Sequence, residues 1–586
     1  MGVLAVLAAA LPIAFLIISG ALIGTVPDAI AGGLSSAAGA RFTNLVILLG
    51  VALVGQQVVG PILELATSVL ADRVTLNASE EVMTHCLAPA GIAHLEDPAT
   101  LNAVQTSRGV GSLGWGPGTA ASALVTTAVR RLGAVGSIAL LAKYNVWFTA
   151  ALLAFWLWLR KGNRTGLLRT VAGQIGNVEP HRFATYYRSL SFGPATAKET
   201  RLFDLGGWVR DRFSGHWGDA MAQMREARRG GVAQILRLSV LYGGSHFAAL
   251  AILGWAVSRG DVSLGEFAMY AQAVVTSSLL ICGVYNEDAV LQWASASLPA
   301  AESLRSMASQ AAISGGTAKP AGLPSRAISF EGVRFSYPGT DTLVFDGLDL
   351  EIAAGQSLAI VGVNGAGKTT LIKLLARLYD PREGSVRVDG HDLRGLDARL
   401  WQRQVGAIFQ DFVRYELPAR ENVGFGALRH LSDSLALDEV AAKAGASAVV
   451  NGLPAKWDTV LSAAYTGGRD LSGGEWQKIA LARALFAIRG GARVLVLDEP
   501  TANLDVRSEA ELFDRFLEVT AGVTTILVSH RFSTVRHADR ICVIEGGRAI
   551  ELGSHDDLMA ARGRYAEMFK LQASRFEAEP ATGSHP

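Results

Sequence analysis

The sequence predicts two domains of different fold class: an all-α membrane domain of about six helices, followed by an α/β domain built on a parallel sheet. Long apolar runs fill the first half of the chain, while short strand-like runs ending in glycines or acidic residues mark the second half. At 586 residues the chain is too long for one ordinary core. We therefore expect a transmembrane domain over residues 1–305, a linker over 306–325, an α/β domain over 326–572 and a disordered tail over 573–586.

Composition narrows the function classes. Half of the residues (50%) are hydrophobic and 18% are charged, below the quarter that is typical of soluble domains. The formal charge of +1 argues against bulk nucleic-acid binding, which needs a strongly basic surface. Cys86, Cys282 and Cys542 are far apart in sequence, so neither a disulfide framework nor a zinc site is expected.

Six apolar runs approach the roughly 20 residues that a membrane-spanning helix needs. In chain order they cover residues 3–26, 44–66, 121–142, 145–159, 238–257 and 267–284. The first run lacks the basic start of a cleaved signal peptide, so we interpret it as a span. The connection between the fourth and fifth runs, residues 160–237, is rich in Lys and Arg, which places it and both chain termini in the cytoplasm.

Two features of this half have alternative interpretations. Arg130 and Arg131 lie inside the third apolar run, where they either reach out to lipid headgroups or face a polar translocation cavity. The long polar connections 72–119 and 160–237 carry helical patterning, with Leu202, Trp208, Val209 and Phe213 at roughly helical spacing through 201–213. They would transmit force between the two halves of the molecule, or form solvated helical extensions.

A phosphate-binding loop is the first specific motif of the second half. The strand-like run 357–361 leads directly into Gly362-Val363-Asn364-Gly365-Ala366-Gly367-Lys368-Thr369-Thr370, and a predicted helix over 371–378 follows. Glycines let backbone N–H groups surround phosphate oxygens, and the positive end of the helix points at them. Lys368 is placed to reach the β- and γ-phosphates, and Thr369 to ligate Mg²⁺.

Two further strand-like runs end in side chains that suit the same chemistry. Residues 494–497 precede Asp498 and Glu499, at the strand edge where a P-loop site needs a carboxylate for Mg²⁺. We assign Asp498 to the metal and Glu499 to polarisation of the attacking water. Residues 525–528 precede His530, which we expect to donate a hydrogen bond to the γ-phosphate.

With the segment Leu471-Ser472-Gly473-Gly474-Glu475-Trp476-Gln477, the chain closely resembles the ATP-binding cassette (ABC) family, whose signature motif reads Leu-Ser-Gly-Gly-Glu. The resemblance covers residues 327–572 nearly continuously, and the preceding half resembles the membrane domain of exporter-type members more weakly. It implies an ATPase domain with an antiparallel β subdomain and a helical subdomain. It also implies ATP and Mg²⁺ as cofactors.

The resemblance implies further site residues. Tyr337 looks like the aromatic residue that stacks on adenine. Gln410 looks like the glutamine that senses Mg²⁺ and contacts the membrane domain, and Asp505 looks like part of the loop that joins two ATP sites. In this family two cassettes close head to tail, so Ser472, Gly473 and Gly474 would act on the partner's nucleotide through a second anion cradle at a helix start. Segments 94–104 and 197–205 look like the coupling helices, which rest on the cassettes.

The function implied is ATP-driven export of a peptide, a lipid or a hydrophobic small molecule across the cytoplasmic membrane, by a dimer that alternates between inward- and outward-facing states. A homodimer is favoured and a heterodimer stays open. Thr466-Gly467-Gly468-Arg469-Asp470, ahead of the signature, is more similar to the branch that exports peptide antibiotics. A basic helix usually precedes the first span in this family, whereas the first apolar run here starts at residue 3, so either the start is misassigned or the helix is dispensable. We do not expect this chain to cleave leader peptides. A soluble cassette ATPase, an importer or ATP-gated channel of exporter shape, and a non-enzymatic nucleotide sensor are the alternatives.

Overall fold

The computed structural model describes residues 1–107, 116–175, 178–282, 290–291, 297–310, 313, 315–499, 519–529 and 531–577. Contacts between Cα atoms divide the chain into two compact units. The first consists of Met1–Cys86 and Pro98–Ser306, and the second of Leu87–Asp97 and Met307–Pro586. A short piece of the first half of the chain, Leu87–Asp97, therefore packs with the C-terminal unit.

The described residues of the first unit form helices joined by short connections. These helices are α1 (Gly2–Gly32), α2 (Ala37–Leu87), α4 (Pro98–Ser107), α5 (Pro117–Tyr144), α6 (Val146–Ile175), α7 (Val178–Phe192), α8 (Pro194–Leu202), α9 (Gly206–Ser258) and α10 (Leu264–Cys282). α3 (Ala93–Glu96) belongs to the second unit, and α11 (Ser297–Gln310) begins in the first unit and ends in the second. The helical spacing predicted through 201–213 is interrupted. α8 ends at Leu202 and α9 begins at Gly206, because Asp204 adopts a positive φ of 49° between them.

Four helical segments among the described residues are long and apolar enough to span a membrane: Gly2–Gly32, Ala37–Leu87, Pro117–Tyr144 and Leu236–Ser258. The other two predicted spans lie on α6 and α10, and residues 283–284 of the last one are outside the described residues. The helical class of this half is confirmed, whereas the count of six spans stays a prediction. Within α5, Arg130 is half-buried and Arg131 is exposed.

The core of the first unit forms where α1, α5, α6, α9 and α10 meet. Leu141, Trp156, Leu253 and Ala273 are buried there. α1 and α10 approach each other closely, since a Cβ atom added to Gly20 would lie 2.6 Å from the Cβ of Met269. Close contact through small residues is how helices pack in membranes, where the hydrophobic effect does not drive helix association.

The part of the second unit that the structure describes forms two sheets. Its strands are β1 (Ala327–Phe335), β2 (Phe345–Ala353), β3 (Ser357–Val361), β4 (Glu383–Val388), β5 (His391–Asp392), β6 (Val405–Ile408), β7 (Val494–Asp498), β8 (Thr524–Val528), β9 (Arg540–Glu545) and β10 (Arg548–Gly553). Four of them form an antiparallel sheet in the order β2-β1-β4-β5. The other six form a sheet in the order β10-β9-β3-β8-β7-β6, which is parallel except for β10.

Helices lie between and after the strands of this unit along its described residues. They are α12 (Lys368–Leu375), α13 (Ala398–Gln402), α14 (Ala419–Gly424), α15 (Ser434–Lys443), α16 (Ser447–Asn451), α17 (Gly473–Arg489), α18 (Phe532–Val535), α19 (His555–Ala561) and α20 (Arg564–Glu577), with 3₁₀ turns at Leu393–Gly395, Leu428–His430 and Lys456–Asp458. The series α14–α17 forms the helical subdomain that the resemblance implied.

Alternate residues of the central strands enter two different apolar clusters. Leu495 and Leu497 pack with the helical subdomain, whereas Val494 and Val496 pack with the antiparallel sheet and α12. Burial of both faces explains why these strands are continuous apolar runs rather than alternating ones. In this register the carboxyl ends of β3, β7 and β8 meet at one edge, since Asp498 pairs with Val528 and Ile360 with Val528.

Candidate nucleotide-binding site

The P-loop crosses the carboxyl edge of the parallel sheet between β3 and α12. Gly365 and Gly367 have φ angles of 83° and 94°, in the left-handed region that favours glycine. A Cβ atom on Gly367 would lie 2.8 Å from the ring of Phe345, and one on Gly362 would lie 2.4 Å from the carbonyl oxygen of Ile544. Glycine is therefore required at positions 362 and 367. Asn364, between them in the loop, is exposed.

Lys368 begins α12 and its side chain turns back over the loop. The ammonium donates to the carbonyl oxygens of Gly362 and Val363, at 2.9 and 3.1 Å. Burial lowers the pKa of Lys368, and the negative charges of Glu499 and Asp498 partly offset that effect. The arrangement holds a buried positive charge at the centre of the loop, where phosphate oxygens would be favoured.

Thr369 and Asp498 form the pair of oxygen ligands expected for a hard cation. The Thr369 hydroxyl donates to a carboxylate oxygen of Asp498 at 2.8 Å. Burial raises the pKa of Asp498, the Thr369 hydrogen bond lowers it, and Glu499 raises it further. Within the described part of the chain no group of three His, Cys, Asp or Glu side chains is placed to hold a metal. A hydroxyl and one carboxylate fit Mg²⁺, which is commonly held by few protein oxygens together with substrate phosphates.

Glu499 follows β7 in a strained backbone conformation, with a φ of +46°. Its amide donates to the carbonyl of Val528, which fixes this turn to β8. Its carboxylate accepts a hydrogen bond from the Gln410 side-chain amide at 2.9 Å. A positive φ at a non-glycine residue costs of order 1–3 kcal/mol, so the fold holds the Glu499 carboxylate beside the P-loop against an intrinsic penalty.

Tyr337 and Thr370 connect the antiparallel sheet to the start of α12. Their hydroxyl oxygens lie 3.0 Å apart, so one donates to the other. The Tyr337 ring meets the rings of Phe335 and Tyr379 edge-on, at centroid distances of 5.2 and 5.4 Å. The ring is thus held beside the P-loop, within the same unit as the phosphate-binding groups.

The signature segment forms the capped start of α17. Ser472 is the N-cap residue: its hydroxyl accepts from the Glu475 amide at 3.4 Å, and the Glu475 carboxylate accepts from the Ser472 amide at 2.8 Å. Gly473 and Gly474 occupy the first turn, with backbone N–H groups that have no partner within a helix of this kind. The helix covers Gly473–Arg489 and so begins within the signature, as the predicted helix start requires.

The structure brings together Lys368, Thr369, Asp498, Glu499 and Gln410, which sequence analysis took from separate parts of the chain. The predicted site residues His530 and Asp505 lie outside the described residues. Sequence analysis missed Lys373 and Tyr379, which surround Tyr337 from α12 and the segment after it. No motif marks them, and only the proximity of α12 to β1 in the fold reveals them.

Comparisons with known proteins show which proteins this chain resembles. Residues 345–502 match the family model described as ABC transporter. The subtilin transport ATP-binding protein SpaT of Bacillus subtilis is 37% identical over 253 residues, which cover 43% of this chain and 41% of the relative. An ATP-dependent lipid A-core flippase of Thiobacillus denitrificans is 34% identical over 322 residues, which cover 54% of this chain and 53% of the relative. The chain thus spans about half the length of these curated relatives.

A solved structure extends the similarity to the whole fold. The structure of a bacterial Atm1-family ABC exporter with ATP bound superposes with a TM-score of 0.74 and covers 97% of both chains, at 21% sequence identity. Residues 345–502 therefore match an ABC transporter ATPase domain, and the whole chain, which joins this region to a helical N-terminal unit, has the fold of the solved exporter.

Proposed function

We propose that this chain is one half of a dimeric exporter that uses ATP hydrolysis to move a substrate out across the cytoplasmic membrane. The observation that carries the proposal is the pairing of Glu499 with Gln410 beside the Thr369–Asp498 pair and the Lys368 ammonium. A binding protein that only senses nucleotide has no need for a strained carboxylate at the water-facing end of such a site. Helices of membrane length on the same chain give the hydrolysis a transport role.

Each residue of the site has its own role in the proposed hydrolysis. The P-loop amides and Lys368 bind the β- and γ-phosphates. When the phosphates bind, the Lys368 ammonium donates to their oxygens in place of the carbonyls of Gly362 and Val363. Thr369 and Asp498 would hold Mg²⁺, which would neutralise charge on the phosphate oxygens. Glu499 orients the attacking water and accepts its proton, while Gln410 holds the Glu499 carboxylate in position. His530 is proposed to donate to the γ-phosphate.

Two copies are required in this proposal. The N-terminal amides of α17, together with Ser472, complete the site of the partner cassette, and Asp505 joins the two sites. Gly473 and Gly474 leave the first turn of α17 without side chains, which suits close approach of a phosphate. A homodimer has two complete sites because the P-loop, Glu499 and the signature are all present on one chain. A second, related chain in place of the identical partner is the alternative.

The cargo is proposed as a class: a peptide, a lipid or a hydrophobic small molecule. Relatives named for subtilin transport and for lipid A-core flipping match this chain at 37% and 34% identity. A peptide and a lipid are both cargoes that could pass along apolar helices. The segment ahead of the signature favours a peptide. Stimulation of ATP hydrolysis by candidate cargoes, with the full chain in nanodiscs, would distinguish the three classes.

Glu499→Gln in the full-length protein tests the proposed chemistry. We expect magnesium-dependent phosphate release to fall by about 10²–10⁴-fold while ATP binding persists, because the amide cannot accept the proton of the attacking water. Glu351→Gln, at an exposed position of β2, is the matched control and should leave turnover unchanged. Wild-type turnover in the Glu499→Gln protein would favour the nucleotide-sensor alternative.

A further inference from the structure

The main chain of the segment Leu87–Asp97 is hydrogen-bonded to residues of the ATPase unit. The amide of Ile92 donates to the carbonyl of Leu378 at 3.2 Å. The Arg399 guanidinium donates to the carbonyl of Ala88 at 2.7 Å, and the Gln402 amide donates to the carbonyl of Ala90 at 2.9 Å. A Cβ atom on Gly91 would lie 2.9 Å from the carbonyl oxygen of Leu378, so the backbone of the segment lies directly on the residues that follow α12.

One acidic side chain at the end of this segment reaches two residues around Tyr337. The carboxylate of Glu96 accepts a hydrogen bond from the hydroxyl of Tyr379. A second Glu96 oxygen lies 3.7 Å from the ammonium of Lys373. Burial raises the pKa of Tyr379, and the hydrogen bond to Glu96 raises it further, so this hydroxyl stays a donor across the physiological range.

Lys373 links Glu96 to the aromatic cluster. Its ammonium lies 5.0 Å from the ring centroid of Tyr337 and 5.7 Å from that of Tyr379, within the range of cation–π attraction. The Lys373 side chain is 23% exposed, so the ammonium is partly desolvated and its attraction to the rings is stronger than at an open surface. Because the ammonium covers one face of Tyr337, a stacked base would use the opposite face.

We propose that Lys373 is a positioning residue of the adenine site: it holds the Tyr337 ring for stacking, and Glu96 holds Lys373 over the ring while Leu87–Asp97 is docked. This inference rests on the proposed function and on the role that the family resemblance implies for Tyr337, which is to stack on adenine. Docking of Leu87–Asp97 and binding of the base then strengthen each other by the same factor, as linkage requires. The coupling depends on the base, whereas contacts with the phosphates do not pass through Lys373.

Binding of ATP and of tripolyphosphate to the full-length protein in nanodiscs separates the base from the phosphates. In Lys373→Met, which keeps the length of the side chain and removes its charge, we expect ATP affinity to fall about two- to fivefold, with tripolyphosphate affinity unchanged. Lys373→Arg keeps the charge and should retain the wild-type ratio of the two affinities. Lys443→Met, on α15 and remote from Tyr337 in the sequence, is the control and should behave as wild type.

The outcomes are distinct. If the wild-type protein does not bind ATP, the proposed function itself fails. If the wild type binds ATP and Lys373→Met leaves the ratio of ATP to tripolyphosphate affinity unchanged, or changes both affinities equally, the positioning role of Lys373 is overturned.

Hydrogen exchange provides a second measurement, and Glu96→Gln a second variant. ATP should increase protection of the Ile92 amide in wild type, because its bond to Leu378 fixes the segment, and this increase should be lost in both Lys373→Met and Glu96→Gln. Tripolyphosphate should leave protection of Ile92 unchanged. An equal increase with ATP in wild type and in either variant would refute the link between Glu96, Lys373 and the base.

Discussion

Asp389 fixes the start of the ATPase domain, and its charge can be tested directly. It follows β4 in a tight turn with Gly390, where the φ angles of the two residues are 51° and 85°. Its carboxylate accepts four hydrogen bonds of 2.7–2.9 Å, from the amide and hydroxyl of Ser325 and from the amides of Arg326 and Ala327. One side chain thereby attaches the first strand of the domain to the β4–β5 turn.

The pKa of Asp389 gives the size of the contribution that its charge makes to folding stability. Burial alone would raise it, but the hydrogen bonds from Ser325, Ala327 and Arg326 lower the pKa of Asp389 from 3.8 to about 2. A displacement of this size corresponds to about 2 kcal/mol in favour of the charged carboxylate in the folded state. Because the folded-state pKa lies below the unfolded-state value, this stability is present above about pH 4 and is lost as the pH falls towards 2.

Asp389→Asn removes the charge with little change in shape, and asparagine tolerates the positive φ of this position. We expect the Tm of the ATPase domain, measured in the full-length protein at neutral pH, to fall by about 4–8 °C. The difference in Tm between Asp389→Asn and wild type should shrink by about half between pH ~5 and pH ~3, because only the wild type loses the contribution of the charge.

Asp341→Asn, at an exposed position before β2, is the control and should leave the Tm within about 1 °C of wild type. An equally small effect of Asp389→Asn, or a gap that does not depend on pH, would refute the reasoning about Asp389.

Two further predictions concern the P-loop. In an equilibrium titration, Gly367→Ala should lower ATP affinity at least about tenfold, because the φ of 94° and the ring of Phe345 at 2.8 Å exclude a Cβ atom. The control is Gly395→Ala, where a Cβ atom meets open space, and it should bind ATP as wild type does. Equal ATP affinity of the two variants would contradict this prediction. Thr369→Val should raise the Mg²⁺ concentration for half-maximal hydrolysis about tenfold, since the hydroxyl that pairs with Asp498 is lost; an unchanged magnesium titration would count against the metal role.

Features of the ATP site that depend on short-range pattern could be predicted from the sequence. The run 357–361 is β3 as predicted, and Asp498 is the last residue of β7. A buried parallel strand, a glycine loop and a helix start are each specified by adjacent residues, so their order places Lys368 and Thr369. The predicted ends of helices were less accurate than their positions in the chain. The P-loop helix begins at Lys368 rather than at residue 371, because Gly367 is the last residue in the left-handed conformation and the next residue is already helical.

Other features depend on contacts between distant residues, and the sequence contains no local signal for them. Glu96 and Lys373 are 277 positions apart, and their ion pair exists only because the Leu87–Asp97 segment lies on the residues after α12. The positive φ of Glu499 likewise follows from its bond to Val528 on a neighbouring strand. The interruption between α8 and α9 was missed because the apolar spacing continues across Asp204, whose backbone alone breaks the helix.

The most direct test of a site shared between two chains is a mixture of two inactive variants. Lys368→Ala disables the P-loop, and Gly474→Asp places a negative charge where the signature would meet the partner's phosphate. Each variant alone should lack magnesium-dependent ATP hydrolysis. When they are co-expressed with different tags and the mixed dimer is purified, we predict that hydrolysis returns, because one of its two sites combines an intact P-loop with an intact signature from the other chain. A purified mixed dimer as inactive as either variant alone would contradict the account.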